Sequence, residues 1–435
     1  MRFSFAQKLT TTLALQLFQM MRLGSAVFTG ILLAKSGLST NEIGAWEMLL
    51  YLGTTFTFFW VNGLLQGIAP THARLGEEAR KVFIFNNFLL FAGISLALFI
   101  LLFLAENWVA PALTGMAEVP FYKLFCVYLL FNLPSFPVEY IYLLQQRPRH
   151  ILVWGVIVFS FHLVALFLPI WLGYGLEGGV MALVLLSALK FLWTLGLTLR
   201  YGQARLDTKL ILQYLTFCAP LMLSSVVSNL MLLFDTWLVG WHFQDAGVFA
   251  IYRYGAREFP LATALVSALG TSMIPLLSTS FSAGLAATKA KSLRLMHLLF
   301  PLTIVLLCSS EWLFPRVFNP DFAASAPLFN IYLLILASRV LLPASIMLSK
   351  GDSRSIFRVS IAELLLKVVL GFWFIQWWGL PGLAWSVVLS FWVEKLGLMY
   401  LLERKHGVRT ADWLAWKWYL GYVVILFLTF WISIN

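Results

Sequence analysis

Charge is scarce in this sequence. Asp, Glu, Lys and Arg make up 11% of its 435 residues, less than half of the ~25% that lets a soluble surface meet water. A water-soluble globular chain is thereby excluded. Catalytic signatures are also missing: there is no HExxH, GxSxG or P-loop, and no exposed loop carries a clustered Asp pair. The links between apolar stretches run to about 15 residues at most, too short for a catalytic domain. No metal and no cofactor is expected, and the chain reads as a non-enzyme. Cysteine is sparse too: Cys126, Cys218 and Cys308 lie in apolar runs without CxxC or metal-ligand spacing and read as buried packing thiols.

What is plentiful is hydrocarbon. Hydrophobic residues reach 61% and mean hydropathy is +0.86. About 20 apolar residues make a helix that crosses ~30 Å of lipid. Such runs occur at 9–34, 43–68, 83–105, 121–145, 150–172, 178–199, 211–240, 246–281, 292–314, 327–349, 356–377, 381–402 and 415–434. The first is too long for a cleaved signal and has no small-residue cleavage site. The fold class is therefore all-α, a polytopic membrane protein.

A net charge of +11 would ordinarily raise nucleic acid as a partner; its distribution points to membrane lipid instead. One set of alternate loops, with the N-terminus, carries 19 of the 30 Lys and Arg, whereas the opposite set holds Lys35, Lys123 and Arg316. The positive-inside rule then predicts a cytoplasmic N-terminus and a last helix that ends outside. Trp108, Trp171, Trp312, Trp377, Trp378, Trp416 and Trp418 fall near run ends, as an interfacial belt requires.

The chain also repeats itself at a spacing of about 204 residues. ENWVAP at 106–111 returns as SEWLFP at 310–315, and GLEGGVMA at 175–182 returns as GLPGLAWS at 379–386. RHI at 149–151 maps onto RSI at 354–356, and IGAWEMLLYL at 43–52 onto AGVFAIYRYG at 246–255. Each copy holds six runs, an even number, so both copies insert the same way up. The predicted organisation is a six-helix bundle over 1–205, a second over 206–402, and a cytoplasmic loop with an additional helix over 403–435. Two parallel bundles around a central cavity are an arrangement for transport by rocking. With no nucleotide motif, the energy must come from a gradient or from the substrate's own concentration difference.

Charges within the runs narrow the reading, since each costs ~2.5–3.5 kcal/mol at mid-membrane. Arg253 and Arg257 lie one turn apart on one face, and Arg22 and Arg339 sit near the middle of their runs. Arginine stays ionised and forks onto phosphate or carboxylate oxygens. These four are candidates for a cationic lumen that receives an anionic head group; the alternative is ion pairing to Asp235, Glu258 or Glu139. Asp235, Glu139 and Glu47 are candidates for coupling a proton or cation, with snorkelling the alternative for Glu47. Glu363 and Lys367, four apart, are expected to form a structural ion pair. Glu394 and Lys395, adjacent, are expected to point different ways, and Lys190 aligns with Glu394 across the repeat. His162 and His297 look isolated. Pro134, Pro137, Pro220 and Pro260 are expected to break or kink their helices.

LLAKSGLSTNEIGAWEMLLYLG at 32–53, FDTWLVGWHFQDAGVFAIYRYGAREF at 234–259, LFPRVFNPDFAASAPLFNIYLL at 313–334 and GLPGLAWSVVLS at 379–390 carry a resemblance. Over most of 1–402 the chain resembles the multidrug/oligosaccharidyl-lipid/polysaccharide flippase superfamily, and within it the polysaccharide transporter, or O-antigen flippase, branch. Gly44 with Trp46 and Gly247 with Tyr252 fill the family's Gly-plus-aromatic places after its outer turns. KSGLS at 35–39 replaces the family's usual Leu-Gly ending of the first helix, and a thirteenth run follows the repeat. The resemblance implies a flippase of the bacterial inner membrane that moves a polyprenyl-pyrophosphate-linked oligosaccharide outward by alternating access, for surface polysaccharide. Its rivals are a multidrug or toxin extruder of the same fold, which calls for a carboxylate-rich lumen, and a membrane glycan polymerase or ligase, which calls for a large outer loop.

Overall fold

Each apolar run becomes helix in the computed structural model, which describes residues 10–434; no strand occurs among them. Ten helical stretches among the described residues are long and apolar enough to cross a membrane. Two of these, 148–201 and 353–406, are 54 residues long. As straight helices they would reach about 80 Å, far past ~30 Å of hydrocarbon. Both double back. Gly173 (φ 89°) and Gly175 (φ 61°) turn the first stretch, and Gly379 (φ 62°) turns the second. A Cβ at these angles is strained, so glycine is what the turns demand. At the second turn, Gly382 lies against the carbonyl of Phe374 with no room for a side chain.

By packing, the chain divides into two units, 1–250 and 251–435. In the first, helix Thr40–Arg74 starts from a capping box in which Ser39 and Glu42 satisfy each other's backbone N–H groups. It runs antiparallel along helix Thr208–Phe243, and glycine sets the separation: Gly44 meets the Ala246 carbonyl, Gly63 meets Met222 and Gly67 meets Cys218. Small residues let helices approach closely where lipid supplies no hydrophobic drive. Pro134 and Pro137 break the run at 121–145 into Tyr122–Asn132, a short tight turn and Val138–Leu144. Pro220, by contrast, sits inside an uninterrupted helix.

The second unit is built on helix Phe281–Val317. The run at 246–281 divides before Pro260, into Ala246–Gly255 and Pro260–Thr279. Gly255 abuts the backbone of Ser325, Ser325 Oγ donates to the Ile251 carbonyl (2.8 Å), and Tyr254 packs on Phe322 at 4.3 Å between ring centres. Two of the quoted family segments thus pack against each other. The last helix, Trp416–Ile434, is part of the unit's core: Tyr422 stacks on Phe300 and hydrogen-bonds His297 at 2.7 Å, and Tyr419 donates to the Ala337 carbonyl. His297 is therefore not isolated.

Basic loops gather at one end within each unit. In the first, Gln203 N–H donates to the Lys81 carbonyl and Asn86 to the Arg205 carbonyl. In the second, Lys289 Nζ donates to the Ala411 carbonyl, and Asp352 pairs with Lys405 and His406. The seven belt tryptophans are all exposed. Cys126 and Cys218 are buried, but Cys308 is exposed, a correction; a thiol is apolar enough to tolerate an outward helix face.

Candidate functional site

Arg22, near the middle of helix Thr11–Ala34, donates through Nη2 to Glu139 Oε1. The broken helix places Glu139 there: the turn at Leu133–Ser135 resets the face that Val138–Leu144 presents. The arginine side chain is 41% exposed and the carboxylate 2%. Lys190 lies within electrostatic reach of Glu139 and His162, and its Nζ donates to Asn132 Oδ1, the last residue before the break. The alignment of Lys190 with Glu394 thus does not give its hydrogen-bond partner; an amide in its own unit does. This first cluster holds two cations against one carboxylate.

The second unit carries a larger cluster. Arg339 grips Glu258 with Nε and Nη2 at 2.9 and 2.7 Å and lies 4.7 Å over the Phe391 ring. Here too the arginine is the more exposed partner, 31% against 18%. Glu363 sits within electrostatic reach of Arg339, Lys367, Glu394 and Lys395. Glu363 and Lys367 are both buried, inside a network larger than an isolated pair. Glu394 and Lys395 do not point apart: Lys395 Nζ reaches Glu394 Oε2 at 2.7 Å. Their Cα–Cβ bonds diverge on the helix, but both side chains are long enough to curl together.

Arg253 and Arg257 are half-buried. Arg257 Nε donates to the Arg253 carbonyl (2.9 Å), and its guanidinium lies 5.2 Å over Tyr254. The segment Ala256–Phe259, between two helices, carries Arg257 and Glu258. Glu47 and Asp235 are buried on the two long helices of the first unit. The register of that contact, read from Gly63 on Met222 and Gly67 on Cys218, sets them about one turn apart along it. Among the described residues no group of His, Cys, Asp and Glu has the geometry to hold a metal ion.

The ion pairs draw on residues 117 and 81 positions apart, which no local pattern reveals. Asn132 also went unmarked; its place before a Pro-broken turn was the available signal, since an amide there replaces helix bonds that the break removes.

No curated protein matches the chain. The structure is similar to a lipid II flippase MurJ in an inward closed conformation, with TM-score 0.71 and 17% identity over 96% of this chain and 95% of that one. It is also similar to an inward-facing multidrug resistance MATE family transporter of the MOP superfamily, at TM-score 0.60 and 13% identity over 88% and 94%. A MOP superfamily transporter from Pyrococcus furiosus gives TM-score 0.53 and 16% identity over 91% and 96%. At such identities these likenesses speak of fold alone. The sequence model of the lipid II flippase MurJ family, however, matches residues 149–434, well over half of the chain. On that match the chain belongs to the MurJ family of lipid II flippases.

Proposed function

We propose that this protein carries a saccharide linked to a polyprenyl pyrophosphate from the inner to the outer leaflet of the bacterial inner membrane by alternating access, with its N-terminus in the cytoplasm. Lipid II and the lipid-linked oligosaccharides of surface polysaccharide share that chemistry. One observation carries the reading: in both pairs the arginine side chain is more exposed than that of its glutamate, 41% against 2% and 31% against 18%. A recessed carboxylate orients the cation and compensates it while the site is empty. The forward face of the guanidinium keeps donors for a phosphate, which it can grip in fork geometry. The half-buried Arg253 and Arg257 add charge, one on the last turn of helix Ala246–Gly255 and the other just past its end rather than one helical turn on. Moving a pyrophosphate through hydrocarbon is the main barrier, and fixed cations along a wet path lower it while the prenyl chain stays in lipid.

Glu139 is the coupling candidate with the clearest route. An anion that takes over Arg22 leaves Glu139 to Lys190, which lies within its electrostatic reach. Asp235 and Glu47 are the other candidates. The recessed carboxylates weigh against a pump for organic cations, which needs acidic groups in front.

The test follows lipid II and a polyprenyl-pyrophosphate oligosaccharide side by side in proteoliposomes. The wild-type chain is expected to move at least one of them. Replacing Arg253→Glu together with Arg257→Glu is expected to slow it at least about tenfold, or ~1.4 kcal/mol of barrier. In cells the same variant, still made in normal amount, is expected to lose surface glycan. If neither lipid moves, or if the variant keeps pace with the wild type, the reading fails.

A further inference from the structure

Away from these clusters, the basic end of the first unit holds a groove of about 580 Å³. Its mouth is cationic. Arg147, at the start of helix Pro148–Pro169, and Arg200, at the end of helix Gly175–Tyr201, both lie over the Tyr201 ring, at 5.4 and 5.5 Å. His150 completes the mouth and packs on Tyr142 at 5.4 Å. Among the described residues no carboxylate pairs with Arg147, His150 or Arg200.

Behind the mouth the groove is apolar. Leu189, Leu192, Gly196 and Arg200 follow one another along one face of their helix, over about 17 Å. That is close to the depth of one leaflet, half of ~30 Å. Leu189, Leu192 and Trp193 are exposed, and Gly196 leaves the floor open, since a Cβ there would meet nothing within 4 Å. Trp193 is held in place, stacked on Trp154 and donating to the Tyr142 hydroxyl at 3.2 Å.

We infer that this groove binds an anionic phospholipid of the leaflet that faces the basic loops, its phosphate between Arg147 and Arg200 and one acyl chain along Leu189, Leu192 and Gly196. Charge complementarity selects the occupant: unpaired cations at head-group depth attract acidic lipid, and basic pockets between membrane helices hold anionic head groups. An apolar channel one leaflet deep fits an acyl chain and gives a sugar nothing to bind. None of the lining residues belongs to the arginine pairs, and the inference stands whether or not the transported lipid is the one proposed above.

The experiment uses the full chain, purified and stripped of lipid, titrated with phosphatidylglycerol, phosphatidylcholine or polyprenyl pyrophosphate. Retained lipid is read by native mass spectrometry and stability by melting. Phosphatidylglycerol is expected to be preferred over phosphatidylcholine by about tenfold or more. Arg147→Gln with Arg200→Gln is expected to abolish the preference, and Arg147→Lys with Arg200→Lys to restore part of it. Gly196→Leu fills the groove while keeping both cations, and it is expected to lose retention with unliganded melting unchanged. Should the double Gln variant fail to fold, Gly196→Leu decides. Equal retention of the two phospholipids, or wild-type retention in Gly196→Leu, overturns the inference. So does displacement of phosphatidylglycerol by polyprenyl pyrophosphate at lower concentration, which makes the groove a dock for the transported lipid.

Discussion

Around Glu139 the first unit sets two cations against one carboxylate, with Arg22 well exposed; around Glu363 the second sets Arg339, Lys367 and Lys395 against Glu258, Glu363 and Glu394, most of them buried. In the balanced cluster the buried Glu363, Lys367, Glu394 and Lys395 satisfy one another, and Arg339 with Glu258 forms its more exposed edge. Its groups share helices and loops that pack within one unit, and it lets charge reside in the membrane at tolerable cost. The unbalanced cluster leaves a guanidinium that gains by meeting an anion from outside. Sign and exposure together, rather than the number of intramembrane charges, separate a structural ionic core from a place prepared for a ligand.

That contrast can be broken in three ways. The largest effect is expected from Lys367→Met, which strands carboxylates in a buried network; losing one partner of such a set costs about 3–5 kcal/mol. The variant should melt far below the wild type in detergent, and restoring balance with Glu363→Gln should recover much of the loss. An unchanged melting point would take Glu363, Lys367, Glu394 and Lys395 out of a structural core. Next comes Arg22→Gln. Its side chain is 41% exposed and Lys190 remains near Glu139, so stability should fall by less than in Lys367→Met. Transport should drop by about tenfold or more; the reverse pattern in a paired melting and flipping assay would make Arg22 structural.

The smallest effect concerns the loop that joins two helices of the second unit. Hydrogen bonds from Ser355, with His406 and Lys405 close by, hold the Asp352 carboxyl down at about 2, against an ordinary value of 3.8. A lowered folded-state value gives stability that is complete above ~4 and lost as pH falls toward ~2. Asp352 also caps helix Ser353–His406 by accepting from Ser355 N–H. Asp352→Asn should thus melt slightly lower than wild type by the same margin from pH 5 to pH 8, with the gap closing below pH 4. A gap that changes between pH 6 and pH 8 would hand the effect to His406.

Much of the fold was legible because lipid imposes one rule: apolar runs of sufficient length become helices that satisfy their own backbones. GLEGG and GLPGL marked both double-backs, since a chain reversing at the membrane edge needs glycine. The family segments were legible as similarity, yet what they do physically, Gly255 closing on Ser325 beneath the Tyr254–Phe322 stack, is a matter of packing. The arginines were visible, and Glu139 and Glu258 were already among the alternatives as their ion-pair partners; which carboxylate meets which arginine was not visible. Arg22 lies 117 residues from Glu139, and only a proline-broken helix turns that carboxylate toward it. For the same reason adjacency misled at Glu394 and Lys395, where rotamers outweigh the direction of the Cα–Cβ bond.

The double-backs at Gly173 and Gly379 bear on how the chain is made. Two arms joined by a few residues leave from the face they entered, so only a glycine-containing bend and no long polar stretch has to reach the opposite face. Neither arm of 353–406 can close the contact between Asp352 and Lys405 until the ribosome has released both. The nascent chain must therefore hold more than fifty residues in lipid before that clasp forms, which makes the pair a late reporter of assembly for crosslinking on stalled ribosomes.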